Sequence, residues 1–176
     1  SAAVKDAGNP ALGEDLAAIL SECRPRVVYT HNPADKHETH LAVGLSAVRA
    51  IRRLPAARRP QAVYGCEVWR NLDWLPDGRK VALDVSGHEN IAAALIGVYD
   101  SQVAGGKRYD LATLGRRRAN ATYFESHATD QAEALWFAMD LTPLVRDDAL
   151  DIGEFVLGHI DDFRRGVEAQ IRKHAP

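Results

Sequence analysis

The chain has 176 residues, of which 46% are hydrophobic and 26% charged, with a formal net charge of -2 at pH 7. That length suits one domain of ordinary size, able to bury roughly 70% of its unfolded surface. The near-neutral balance excludes wholesale binding to nucleic acid or to an anionic membrane, and no apolar run approaches the ~18 residues of a membrane span.

Ser1-Ala2-Ala3-Val4 leads directly into polar sequence, so no signal peptide is visible, and a cytoplasmic protein is the expectation. Because Ser1 is not a start methionine, the N-terminus is expected to be a cut end. Residues 14–23 read as a short helix, stopped by Pro25, since the residue before a proline avoids helical dihedrals. The β-branched run 26–31 reads as a buried strand. A helix is predicted over 36–53, then a basic, proline-bounded loop over 55–60. Strands are predicted over 61–69 and 80–85, with a turn at Asp77-Gly78 between them. Helices follow over 89–102 and 111–123, and a fourth strand over 135–139. Over 151–173, Ile152, Phe155, Val156, Ile160, Phe163, Val167 and Ile171 recur at three- and four-residue steps. They predict an amphipathic helix packed on the domain body. Alternating strands and helices indicate an α/β fold with an open, mostly parallel sheet flanked by helices, whose ligand sites lie at the carboxyl ends of strands. Cys23 and Cys66 have no metal or redox spacing and are expected to be reduced and mostly buried.

Strand 26–31 delivers the chain to such an edge where a His/Asp cluster begins: Thr30-His31-Asn32-Pro33-Ala34-Asp35-Lys36-His37-Glu38-Thr39-His40. His37 and His40 are three apart at a helix start and share a face with Leu41, Gly44, Val48 and Ile51. A helix N-terminus disfavours protonated histidine, and neutral imidazole is the form that binds a metal. Asp35 can orient a histidine or move a proton; with Glu38 it also fits a capping box. Two histidines are only part of a zinc hydrolase site, which uses three protein ligands and a water. His88 with Glu89, and Glu125 with His127, are candidate contributors.

Arg70, which suits an oxyanion, follows a strand. Lys107, Arg108 and Arg116–Arg118 form a basic cluster beside Gly105-Gly106, read as a phosphate cradle or as a solvated face with ion pairs. Trp69, Trp74 and Trp136 are core residues or sugar-stacking platforms.

The run from Thr30 to His40 resembles the second motif of the PIG-L/LmbE-like zinc-dependent de-N-acetylases, roughly T-H-x-x-x-D-x-H-x-x-H, with Glu38-Thr39 where Pro-Asp is usual. Tyr99-Asp100-Ser101-Gln102 is similar to a further segment of that family, and the resemblance spans about residues 14–145. Residues 66–74 and 106–112 resemble the branch joined to glucosamine-6-phosphate deaminase-like domains. The resemblance implies a Rossmann-like fold and metal-dependent removal of an N-acetyl group from an N-acetylglucosamine-type sugar or its phosphate. It implies zinc or another divalent ion on His40, His37 beside the reacting carbonyl and leaving amine, and Asp35 orienting His37. Arg70, Lys107 and Arg108 would bind the aminosugar substrate. The family's first motif, H-P-D-D-E, is absent, so the chain is expected to be a C-terminal portion lacking full activity by itself. Its complement would be an upstream segment or a fused aminosugar-deaminase-like domain. The other reading is a catalytically inactive domain that binds a sugar or sugar phosphate. Nucleic acid and membrane are not expected partners, and a homo-oligomer stays open.

Overall fold

The computed structural model describes residues 2–6 and 9–175. Seven α-helices and four strands are described: α1 Ala2–Lys5, α2 Ala11–Cys23, β1 Val27–His31, α3 Glu38–Arg53, β2 Ala62–Cys66, β3 Lys80–Asp84, α4 Glu89–Gly97, α5 Tyr109–Tyr123, β4 Leu135–Asp140, α6 Thr142–Arg146 and α7 Ile152–His174. The chain divides into two compact units, where the sequence reads as one domain. The first runs through Val81 and resumes at Ala138; the second is Ala82–Phe137.

The architecture is α/β, with a four-stranded sheet in the order β1-β2-β4-β3. β1 and β2 are parallel, with His31 opposite Cys66. β2 and β4 are antiparallel, with Cys66 opposite Ala138. The sheet is therefore mixed rather than mostly parallel; a short apolar run such as β4 fixes a strand but not its direction. β1 lies at an edge of the sheet, so Val27 and Tyr29 are exposed where the sequence suggested a buried strand. Arg24 ends α2 in a left-handed conformation, its N–H donating to the Leu20 carbonyl, one residue before Pro25 acts.

In the first unit, α3 buries Gly44, Ala47, Val48, Ala50 and Ile51, the face its periodicity foretells. Val48, Ile51, Val63, Leu72, Leu75, Met139, Leu141, Leu144 and Val145 are all at most 1% exposed. Each such side chain contributes about 1.5–3 kcal/mol. Two glycines set how closely the elements approach. A Cβ on Gly44 would stand 2.6 Å from the His31 carbonyl oxygen, so only glycine lets α3 lie this close to the end of β1. A Cβ on Gly65 would stand 2.9 Å from the Asn32 Cα and 2.8 Å from a Leu141 methyl.

α7 is capped by Asp151, whose Oδ1 accepts the Glu154 N–H at 2.9 Å. Of its apolar stripe only Val156 is buried; Ile160, Phe163, Val167 and Ile171 are exposed. The expected packing along the whole stripe is thus confined to the first turns: periodicity defines an apolar face but not what it meets. In the second unit, the Asn120 side chain is buried and donates to the Leu135 carbonyl at 3.1 Å. Phe124 meets Phe137 at 5.3 Å between ring centroids, and the Arg117 guanidinium lies 5.1 Å from the Trp136 ring centre. Among the described residues, no helix is long and apolar enough to cross a membrane.

Candidate metal centre

β1 ends at His31, and the sheet ladder continues one step beyond it, the Asn32 N–H donating to the Cys66 carbonyl at 3.1 Å. The Asn32 side chain, fully buried, then folds the chain back: its Oδ1 accepts the Ala34 N–H at 2.8 Å. The Asp35 N–H donates to the Asn32 carbonyl at 3.2 Å. Asp35 Oδ1 accepts the His37 N–H at 2.8 Å, a side-chain-to-backbone turn of the kind Asp favours. α3 starts only at Glu38, with His37 extended as its N-cap and no side-chain cap on it. The capping-box expectation for Asp35 is thereby corrected, because its carboxylate is taken up by the turn ahead of the helix. His37 likewise stands outside the helix instead of sharing a helical face with His40.

In the first turn of α3, the His40 imidazole stacks on that of His31, with centroids 4.1 Å apart and planes 5° apart. The Asp35 carboxylate completes the group: Oδ2 lies 3.2 Å from His40 Nδ1, the Asp35 side chain being 0% exposed and that of His40 30%. Among the described residues, His31, Asp35 and His40 are the group whose donor atoms lie close enough, within 4.8 Å of one another, to hold a metal ion. The short distance does not amount to a hydrogen bond: Asp35 Oδ2 and His40 Nδ1 are both buried with no hydrogen-bond partner. Buried polar atoms are normally satisfied, and a cation shared between them is one way to do it. Burial lowers the His31 pKa, the neighbouring His40 ring lowers it further, and Asp35 acts in the opposite sense. The net effect favours the neutral form of His31, the form that ligates. Two imidazoles and one carboxylate are a donor set for zinc or a similar divalent ion.

His37 stands at the rim, exposed, with its ring centroid 5.2 Å from that of His40 and 4.6 Å from that of Trp69. Lys36 Nζ lies 5.8 Å from the Trp69 ring centre. Arg70 is exposed, and its Nη1 donates to the Ala34 carbonyl at 2.8 Å, so this guanidinium braces the turn that carries Asp35. Lys107 and Arg108 belong to the second unit, Lys107 over the Tyr109 ring and Arg108 paired with Asp110 through two hydrogen bonds of 2.9 and 2.6 Å. His88, Glu89, Glu125 and His127 are exposed residues of the second unit, and Glu89 pairs with Arg118. Cys23 is exposed, against expectation, and neither cysteine forms a disulfide.

Sequence reasoning assigns no role to His31, Asn32 or Glu67. His31 lay inside the motif, and its place as the last residue of an apolar strand was the available signal. Asn32 and Glu67 share that signal, as polar residues following the ends of β1 and β2. Glu67 is 2% exposed. Burial pushes its carboxyl pKa up, the Leu72 amide pulls it down, and the charge of Asp35 pushes it up. Its Oε2 accepts the Leu72 N–H at 3.3 Å. That bond closes a loop in which Asn71 and Leu72 both take left-handed dihedrals, with φ of 58° and 56°, at a cost of about 1–2 kcal/mol each.

Comparison with protein-family models, with curated proteins and with solved structures gives no match. The functional reading therefore stands on the motif and on the geometry of the centre.

Proposed function

We propose that this chain carries a divalent-metal centre, of zinc or a like ion, that serves hydrolysis of an N-acetyl group on an aminosugar or aminosugar phosphate. The observation behind it is the stacked His31–His40 pair closed by a buried Asp35, two of whose facing atoms have no hydrogen-bond partner. His31, Asp35 and His40 would hold the ion, Asp35 through Oδ2 while its Oδ1 stays on the His37 N–H. A divalent ion there would supply Lewis acidity toward a carbonyl oxygen and toward water. In this reading the frame is the Rossmann-like fold of the PIG-L/LmbE-like enzymes.

The chain's own residues supply the rest. Asp35 Oδ1 holds the His37 backbone, so His37 is fixed at the rim one turn ahead of His40. Its exposed imidazole can pass a proton to the departing amine nitrogen, the step without which an amide does not cleave. Trp69 offers an aromatic face to a sugar ring, and Lys36 and Arg70 give that rim a positive charge suited to a phosphorylated sugar.

The test has two stages. One equivalent of Zn2+ should bind the chain with an affinity that His40→Ala abolishes. The protein should then release acetate from N-acetylglucosamine or its 6-phosphate. No stoichiometric metal sinks the centre. Metal binding without acetate release across such a panel leaves the sugar-binding reading in its place.

A further inference from the structure

Glu67 is a fully buried carboxyl that the hydrolytic reading leaves without a task. A carboxyl in that position is expensive to bury unless its oxygens are used. Oε2 is used, on the Leu72 N–H, while Oε1 has no partner. The bond to Leu72 closes the loop that contains the left-handed pair Asn71-Leu72. Inside that loop sits Arg70, and its Nη1 reaches the Ala34 carbonyl at 2.8 Å. Ala34 is the middle of the turn whose two ends are Asn32 and Asp35. Asp35 in turn faces His40. A continuous line of bonded groups therefore runs from the end of β2 to the carboxylate at the metal centre.

We propose that Glu67 is a positioning residue of this centre, acting through the 67–72 loop and the Arg70–Ala34 bond to fix the turn that aims Asp35 at His40. The inference rests on the metal reading for its consequence, but the strut itself is a property of the metal-free chain. Replacing the carboxyl by a group that cannot accept the Leu72 N–H frees the loop, Arg70 loses its bearing, and the Asn32–Asp35 turn loosens. Groups that orient a metal ligand from behind typically change metal affinity by ~10–100-fold.

The experiment compares Glu67→Ala, Glu67→Gln and Arg70→Ala with the unaltered chain by two readouts. The first is amide hydrogen exchange without metal. Exchange at Ala34 and His37 should rise by about tenfold or more in Glu67→Ala and Arg70→Ala, while Val63 and Val48 in the core stay unchanged. Glu67→Gln keeps an acceptor oxygen and should restore protection to within about twofold. The second is a Co2+ titration followed by the visible absorption of the ion. The two disrupting variants should bind about 10–100-fold more weakly with an altered band shape, and Glu67→Gln should retain the native spectrum. If Glu67→Ala fails to fold, Arg70→Ala decides, since its side chain is exposed. Unchanged exchange at Ala34 and His37 in Arg70→Ala overturns the proposal. If the unaltered chain binds no Co2+ while exchange responds as stated, the metal reading falls and the strut stands.

Discussion

His40 lies flat on His31, and Gly44 is what allows it: the helix carrying His40 approaches the strand end carrying His31 so closely that a methyl group would strike the His31 carbonyl at 2.6 Å. Burial favours the neutral, ligating form of His31. The stack is then a pair of nitrogen donors held ready by backbone packing. Gly44→Ala should cost about 1–3 kcal/mol, the usual range for overpacking. It should also displace His40 from His31. Urea unfolding measures the first effect and a Zn2+ titration the second; native stability together with native affinity would show that the close approach is not needed.

The three histidines have different parts, and single substitutions separate them. His31→Ala and His40→Ala each remove a donor and should weaken Zn2+ binding by more than the ~10–100-fold lost when only a supporting group is removed. His37→Ala should leave Zn2+ affinity nearly unchanged, because His37 is outside the group of close donor atoms. If acetate release is established, His37→Ala should lower it by about 100-fold or more, the scale of general acid–base catalysis. Equal loss of Zn2+ from His37→Ala and His31→Ala would contradict this division.

Much of this centre was legible because it is local. Strand, turn and helix follow one another within residues 27–53, and the apolar stripe of α3 fixes which way the helix faces. The turn at Asp35 is not legible because Asp-x-x-Glu satisfies both a cap and a turn, and only the backbone of His37 shows which one forms. Glu67 was illegible for another reason. Its value depends on the register His31 opposite Cys66, which brings the end of β2 beside the end of β1, and register between distant segments is not written in either. The direction of β4 and the division into two units are hidden likewise, since both are set by contacts far apart in sequence.

His159 should make the first unit sensitive to acid. Burial lowers its pKa, Arg79 lowers it further, and Asp162 opposes. Its ring stands edge-on to Phe155 at 4.8 Å, and its Nδ1 is buried without a hydrogen-bond partner. The folded chain thus binds this proton less readily than the unfolded one. The stabilising contribution is complete above the ordinary histidine pKa of about 6.5 and is lost as pH falls from there toward the folded value. The urea midpoint should therefore drop between pH 7.5 and 5.5, and His159→Phe should flatten that drop. A pH slope identical in the two proteins would remove His159 from the account.

Arg59 ties the end of α3 to α6 and the segment that follows it. Nε donates to the Leu54 carbonyl at 3.1 Å, Nη2 to the Arg52 carbonyl at 2.7 Å and Nη1 to the Val145 carbonyl at 2.9 Å. The same guanidinium grips Asp148 through two bonds of 2.8 Å. Its side chain is only 9% exposed whereas that of Asp148 is 57% exposed, so the carbonyl bonds rather than the ion pair should dominate. Removing the fork strands three carbonyl groups, two at the C-terminal end of α3 and one in α6. Arg59→Ala should therefore destabilise by about 3–5 kcal/mol. Arg59→Lys should recover little, since a single ammonium cannot reproduce the planar fork. Asp148→Asn keeps the carbonyl bonds and should cost less than about 1 kcal/mol, as exposed pairs do. Urea unfolding of the three variants orders these effects; an Asp148→Asn loss matching that of Arg59→Ala would assign the stability to the ion pair instead.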